Sequence, residues 1–116
     1  MSAATYNFTI NTGETWSQTL IYSSVDEEGN KVPVDLTGYT AKMQIRDKVG
    51  HLKVSLTNED GIEITPEEGK LVITIPHSLT SEFKFAAGNY DLFIIQGSTY
   101  KILLYGAVTV RESATQ

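Results

Sequence analysis

No cysteine occurs among the 116 residues. Disulfide staples and thiolate-held zinc or iron–sulfur centres are therefore excluded. The absence fits a reducing compartment. Histidine is scarce as well, with only His51 and His77. His51 falls in a turn and His77 follows Pro76 at a strand end, so neither suits a nucleophile–base pair. A Gly-x-Ser-x-Gly elbow is also missing. The glycine patterns that cradle phosphate, G-x-x-x-x-G-K-[ST] and G-x-G-x-x-G, are absent. Positive charge is thin: nine Lys and Arg against 14 Asp and Glu give a net charge of −5 and a pI near 4.9. The nine are scattered from Lys31 to Arg111. A nucleic-acid surface needs a clustered basic patch, and none is present. Long apolar runs are missing too. The longest, Leu92–Ile95 and Ile102–Tyr105, are four residues each, against the ~20 a membrane helix needs. The opening MSAATYNFTI has neither a basic n-region nor a long apolar h-region. Membrane insertion and signal-directed secretion are not expected.

Acidic residues do cluster, as Asp26-Glu27-Glu28, Glu59-Asp60 and Glu67-Glu68, each close to a glycine. Acid–base catalysis needs a carboxyl in a cleft with a displaced pKa. Adjacent acids on loop tips are ordinarily solvated. The 26–30 stretch also lacks the alternate oxygen ligands and distal Glu of an EF-hand. The expectation is no enzyme, with no catalytic residue, no metal site and no cofactor.

What the chain does have is a period of two almost throughout. Tyr6, Phe8 and Ile10 alternate with polar neighbours. Trp16, Leu20 and Tyr22 share one side of the next run, which puts Trp16 in the core. The clearest strand is 40–46, where Ala41, Met43 and Ile45 alternate with Thr40, Lys42, Gln44 and Arg46. Val54 and Leu56, then Ile62 and Ile64, then Leu71, Ile73 and Ile75 follow, separated by turns at 47–50, 58–61 and 66–69. Residues 78–85 break the alternation and suit one helical turn capped by Ser78 or Thr80. Residues 90–96 and 99–111 form the last two strands, and a loop with Gly97 first suits a type II′ hairpin. Gly106 suggests a bulge or bend. The 23–32 stretch is expected to be a loop.

These elements predict one all-β domain over residues 1–116, an antiparallel β-sandwich of seven to nine short strands with at most one helical turn. Residues 1–4 and 113–116 are expected to fray. The final hairpin departs from a strand with one wet side. If alternation holds throughout, Tyr90, Leu92, Ile94, Tyr100, Ile102 and Leu104 share one side. Phe93, Ile95, Leu103 and Tyr105 share the other. A strand wet on one side should alternate strictly, so something must cover this second apolar side. It is either the 77–87 connection or a partner surface. Phe93, Ile95, Leu103 and Tyr105 are the expected interface residues.

Two phrases carry a resemblance. One is Phe8-Thr9-Ile10-x-x-Gly13-Glu14-Thr15-Trp16. The other is Val34-Asp35-Leu36-Thr37-Gly38-Tyr39-Thr40-Ala41-Lys42-Met43-Gln44-Ile45-Arg46-Asp47. Together with Gly88-Asn89-Tyr90-Asp91-Leu92 and Gly106-Ala107-Val108-Thr109-Val110, they resemble small tail-associated structural proteins of tailed bacteriophages, across residues 6–112. The resemblance implies an immunoglobulin-like sandwich. It also implies a virion role as a collar, baseplate or fibre-attachment piece, assembled in the bacterial cytoplasm. It further implies a homo-oligomer, such as a ring, that holds other tail proteins. A carbohydrate- or receptor-binding module is the alternative and would need Trp16 or loop tyrosines on the surface.

Overall fold

A computed structural model describes residues 4–112. The expected fraying of residues 1–3 and 113–116 lies outside that range. Ala4 lies inside it and is held in a strand.

Two sheets face each other. In the larger sheet, β1 (Ala4–Thr5) and β2 (Phe8–Asn11) both run parallel to β11 (Thr99–Arg111). That strand pairs antiparallel with β10 (Ala87–Gln96), which pairs in turn with β6 (Thr40–Asp47) and then β7 (Leu52–Thr57). The smaller sheet has the order β3-β9-β8, with β3 spanning Trp16–Ile21, β9 Lys70–Ile75 and β8 Ile62–Thr65. A hairpin of β4 (Ser23–Val25) and β5 (Lys31–Pro33) continues from β3. The sandwich is as expected, with two additions. The two-residue β1 and the β4–β5 pair bring the strands to eleven among the described residues, and the contacts of β1 and β2 with β11 are parallel.

The 23–32 stretch is therefore a hairpin and not a loop. Its acidic tip is built by Asp26, whose Oδ1 accepts the backbone N–H of Glu28 and of Asn30 at 2.9 Å each. Gly29 takes the left-handed φ of 86° that closes the turn. At 97–98 the expected hairpin turn forms. Gln96 faces Thr99, Gly97 has φ 60°, and Ser98 is not left-handed, as a type II′ turn requires.

The core follows from the alternation. Ile10, Ala41, Met43, Ile45, Leu71, Ile73, Ile75, Leu92, Ile94 and Val108 are buried between the sheets. Trp16 is half-buried against this cluster, with its ring edge-to-face on Phe8 at 4.7 Å. Burying such side chains stabilises the fold by roughly 1.5–3 kcal/mol each before entropy is counted.

The helical turn is α1 (His77–Thr80), and Pro66–Glu68 forms a second, 3-10 turn. Neither Ser78 nor Thr80 caps α1. Pro76 occupies the cap position and no side chain bonds there. Thr80 is instead fully buried, and its Oγ1 donates to the Glu14 carbonyl at 2.9 Å. That bond ties α1 to the β2–β3 turn.

Candidate interaction surface

The expectation of two apolar sides on the last hairpin depends on phase. The β10–β11 register runs from Ala87↔Thr109 to Leu92↔Leu104 and then resumes at Phe93↔Ile102. Leu103 is the extra residue of a β-bulge, and beyond it the side chains of β11 exchange faces. Ile102 and Tyr100 therefore stand opposite Phe93 and Ile95 on the outer face, not on the core side. The Phe93 and Tyr100 rings meet edge-on at 6.0 Å, as partners on one face do. Leu103 leaves that face and packs half-buried against the core.

The expected interface thus needs one correction. Phe93, Ile95 and Tyr105 share the outer face, Leu103 does not, and Tyr100 and Ile102 belong with them. Tyr100 is 60%, Ile102 44% and Tyr105 46% exposed. Phe93 and Ile95 are half-buried along the β6 side of the patch, and Asp91 stands on the same face opposite Tyr105. The 77–87 connection does not take up this face: its Phe83 and Phe85 join the inner core cluster. Beyond Phe93 and Ile95 the outer face turns polar, through Lys42 and Thr40 of β6.

Gly106 marks something other than the bulge. It has no left-handed φ, and a Cβ there would collide with the Tyr6 carbonyl oxygen. The β1–β2 crossover lies directly over it. Tyr6 N–H donates to the Tyr105 carbonyl at 2.9 Å, and Asn7 Oδ1 accepts Ala107 N–H at 3.0 Å. The buried Tyr90 hydroxyl donates to the Tyr6 carbonyl at 2.5 Å. Burial, with Tyr6 alongside, pushes the Tyr90 phenol far above its usual range.

The titratable groups elsewhere organise turns. Asp47 Oδ1 accepts the N–H of Val49 and His51, and Oδ2 lies 3.4 Å from His51 Nδ1 and 3.6 Å from Lys53 Nζ. Desolvation works to raise this carboxyl. The N–H groups of His51 and Val49, with the charges of His51 and Lys53, outweigh it and hold the pKa below the ordinary value. Asp35 is lowered by the Thr37 hydroxyl at 2.6 Å and then by Thr37 N–H at 2.9 Å. His77 is exposed, and its carbonyl accepts Ser81 Oγ at 2.6 Å. Among the described residues no three His, Asp or Glu side chains gather as metal ligands, and no helix is long and apolar enough to cross a membrane.

No protein-family model matches the chain, and no curated protein is similar to it in sequence. Solved structures do share its architecture. One is a crystal structure of a chicken TCR, with a TM-score of 0.57 and 11% identity over 94% of this chain and 54% of that one. The present chain thus spans about half the length of that neighbour. At this identity the likeness speaks for the fold alone: the chain is an immunoglobulin-like β-sandwich, built here without the inter-sheet disulfide of antibody domains.

Proposed function

We propose that the chain is a structural protein of a tailed-bacteriophage virion, a collar, baseplate or fibre-attachment piece that oligomerises and holds other tail proteins. The observation that carries this reading is the outer face of the β10–β11 hairpin. Five large apolar side chains, Phe93, Ile95, Tyr100, Ile102 and Tyr105, lie together there on a rigid two-stranded support. Aromatic side chains in an apolar patch with a polar margin are the composition of a protein–protein contact. The tail setting comes from the phrase resemblance over residues 6–112. The alternative module that binds sugar loses its main platform, because Trp16 is turned onto Phe8.

Immuno-electron microscopy of virions with antibody against this chain tests the setting. Label is expected on the tail, and label confined to the head, or absent from particles, overturns it. Tyr100→Asp tests the surface: incorporation into particles should fall at least tenfold while the isolated domain melts within a few degrees of the parent.

A further inference from the structure

Sheet edges are templates for pairing, and proteins guard them with short strands, charges, prolines or bulges. Most edges of this molecule are guarded. β1 and β2 are two and four residues long, β8 is four residues with Glu63, β5 is three with Lys31 and Pro33, and β7 carries Lys53 beside a bulge. The edge formed by β3 and β4 is different: β4 is short, but it runs on from the six-residue β3, and neither strand carries a charge, a proline or a bulge. From Thr15 to Val25 the chain contains no charge, no proline and no glycine.

The backbone of this edge points its bonds outward in a regular way. Tyr22 N–H donates to Gly69 and its carbonyl accepts Val34 N–H, both on the side of β9 and β5. Asp26 N–H likewise turns inward, to Asn30. Opposite Ser17, Thr74 N–H turns to Gly61 on the β8 side, away from β3. Even-numbered residues therefore face their own sheet. Ser17, Thr19, Ile21, Ser23 and Val25 direct N–H and C=O to the open side, where no described residue pairs with their N–H groups. Beside this edge, between it and β11, lies a largely apolar cleft of about 360 Å³ lined by Leu20, Ile21, Tyr22, Val25, Leu103 and Leu104, with Lys31 of β5 as its one charged side chain among the described residues. Ile21 is 63% and Val25 67% exposed.

We propose that this edge pairs with the same edge of a second copy, antiparallel, about a two-fold axis through Ile21. Charge singles out this occupant. Two chains of net charge −5 repel, and an uncharged eleven-residue run lets them meet with no like charges inside the ladder. Glu14 and Asp26 bound the run and end the pairing. The register then matches like with like. Ile21 faces the partner's Ile21 and Thr19 the partner's Ser23, while on the cleft side Leu20 faces the partner's Tyr22. Pairing gives about ten new backbone bonds and covers the cleft. This assignment deepens the homo-oligomer half of the reading above. It leaves the outer β10–β11 face free for a different protein.

The lack of native cysteine makes the register directly testable. Ile21→Cys would place two thiols in a hydrogen-bonded pair about 5.5 Å apart at Cα, within disulfide reach. Val25→Cys would leave its two thiols about 26 Å apart. On mild oxidation the first should cross-link and the second should not. By sedimentation the parent should show twice its 12.8 kDa protomer mass. Ile21→Lys and Thr19→Pro should each show one protomer mass with little change in melting temperature. Should Thr19→Pro unfold, Ile21→Lys and the cysteine pair decide. A monomeric parent, equal cross-linking of both cysteine variants, or a dimer dissolved by Tyr100→Asp but not by Ile21→Lys overturns the proposal. These readouts use the purified chain, so a wrong tail placement leaves them unaffected.

Discussion

Tyr90 shows how one side chain serves three segments. It stands opposite Gly106 on β11, packs its ring at 4.6 Å on Phe8 of β2, and donates its hydroxyl to the carbonyl of Tyr6. Phenylalanine in its place keeps the ring packing and leaves that carbonyl unpaired. Tyr90→Phe should cost roughly 1–2 kcal/mol in urea unfolding. The variant also carries a pH signature. The folded pKa of Tyr90 is raised, so its stabilising effect is complete below the unfolded phenol value near 10 and is lost as pH climbs through the folded value. The parent should lose stability above about pH 10, and Tyr90→Phe should flatten that decline. A parent and variant with parallel alkaline profiles would remove Tyr90 from the account. Asp47 acts in the opposite range. Its lowered pKa gives stability that is present above the unfolded carboxyl value and is lost as pH falls through the folded one.

At the scale of the element, the bulge decides what β11 presents. One inserted residue reverses the faces of everything toward the hairpin tip. Leu103 becomes part of the packed interior while Tyr105 stays in water. Leu103→Ala should therefore destabilise by about 1–2 kcal/mol, whereas Tyr105→Ala should stay within about 0.5 kcal/mol, both read from denaturant midpoints. Equal effects would mean that the phase shift is misplaced. Strand 40–46 was legible in the sequence because its polar residues mark the wet side at every second position. The stretch 102–110 carries no charge at all, so nothing there marks where the alternation slips. Gly106 reads locally as a bulge candidate, yet its role is to admit the Tyr6 backbone, a contact from 100 residues away that local pattern does not encode. The sequence alone thus placed Phe93, Ile95 and Tyr105 on the outer face, and missed Tyr100 and Ile102. The β4–β5 hairpin was hidden for a similar reason: two three-residue strands show too little alternation to stand out from their acidic tip.

For the whole molecule, the parallel pairing of β2 with β11 has a mechanical meaning. Residues 8–11 lie beside 108–111, so the two ends of the described chain leave the domain in opposite directions from adjacent, co-directional strands. A pull on both ends loads these ladder bonds in shear, all at once, instead of peeling them one by one. The Tyr6–Gly106 crossover and the Arg111 Nε bond to Asn11 Oδ1 at 2.8 Å lie within the same loaded region. Forced unfolding is governed by the barrier and not by equilibrium stability. Single-molecule pulling through the termini should give a higher rupture force than pulling between positions 50 and 97 at the loop tips. In the virion role proposed above, where a part passes load between its neighbours, the strand pair that closes the sandwich would also be its tether.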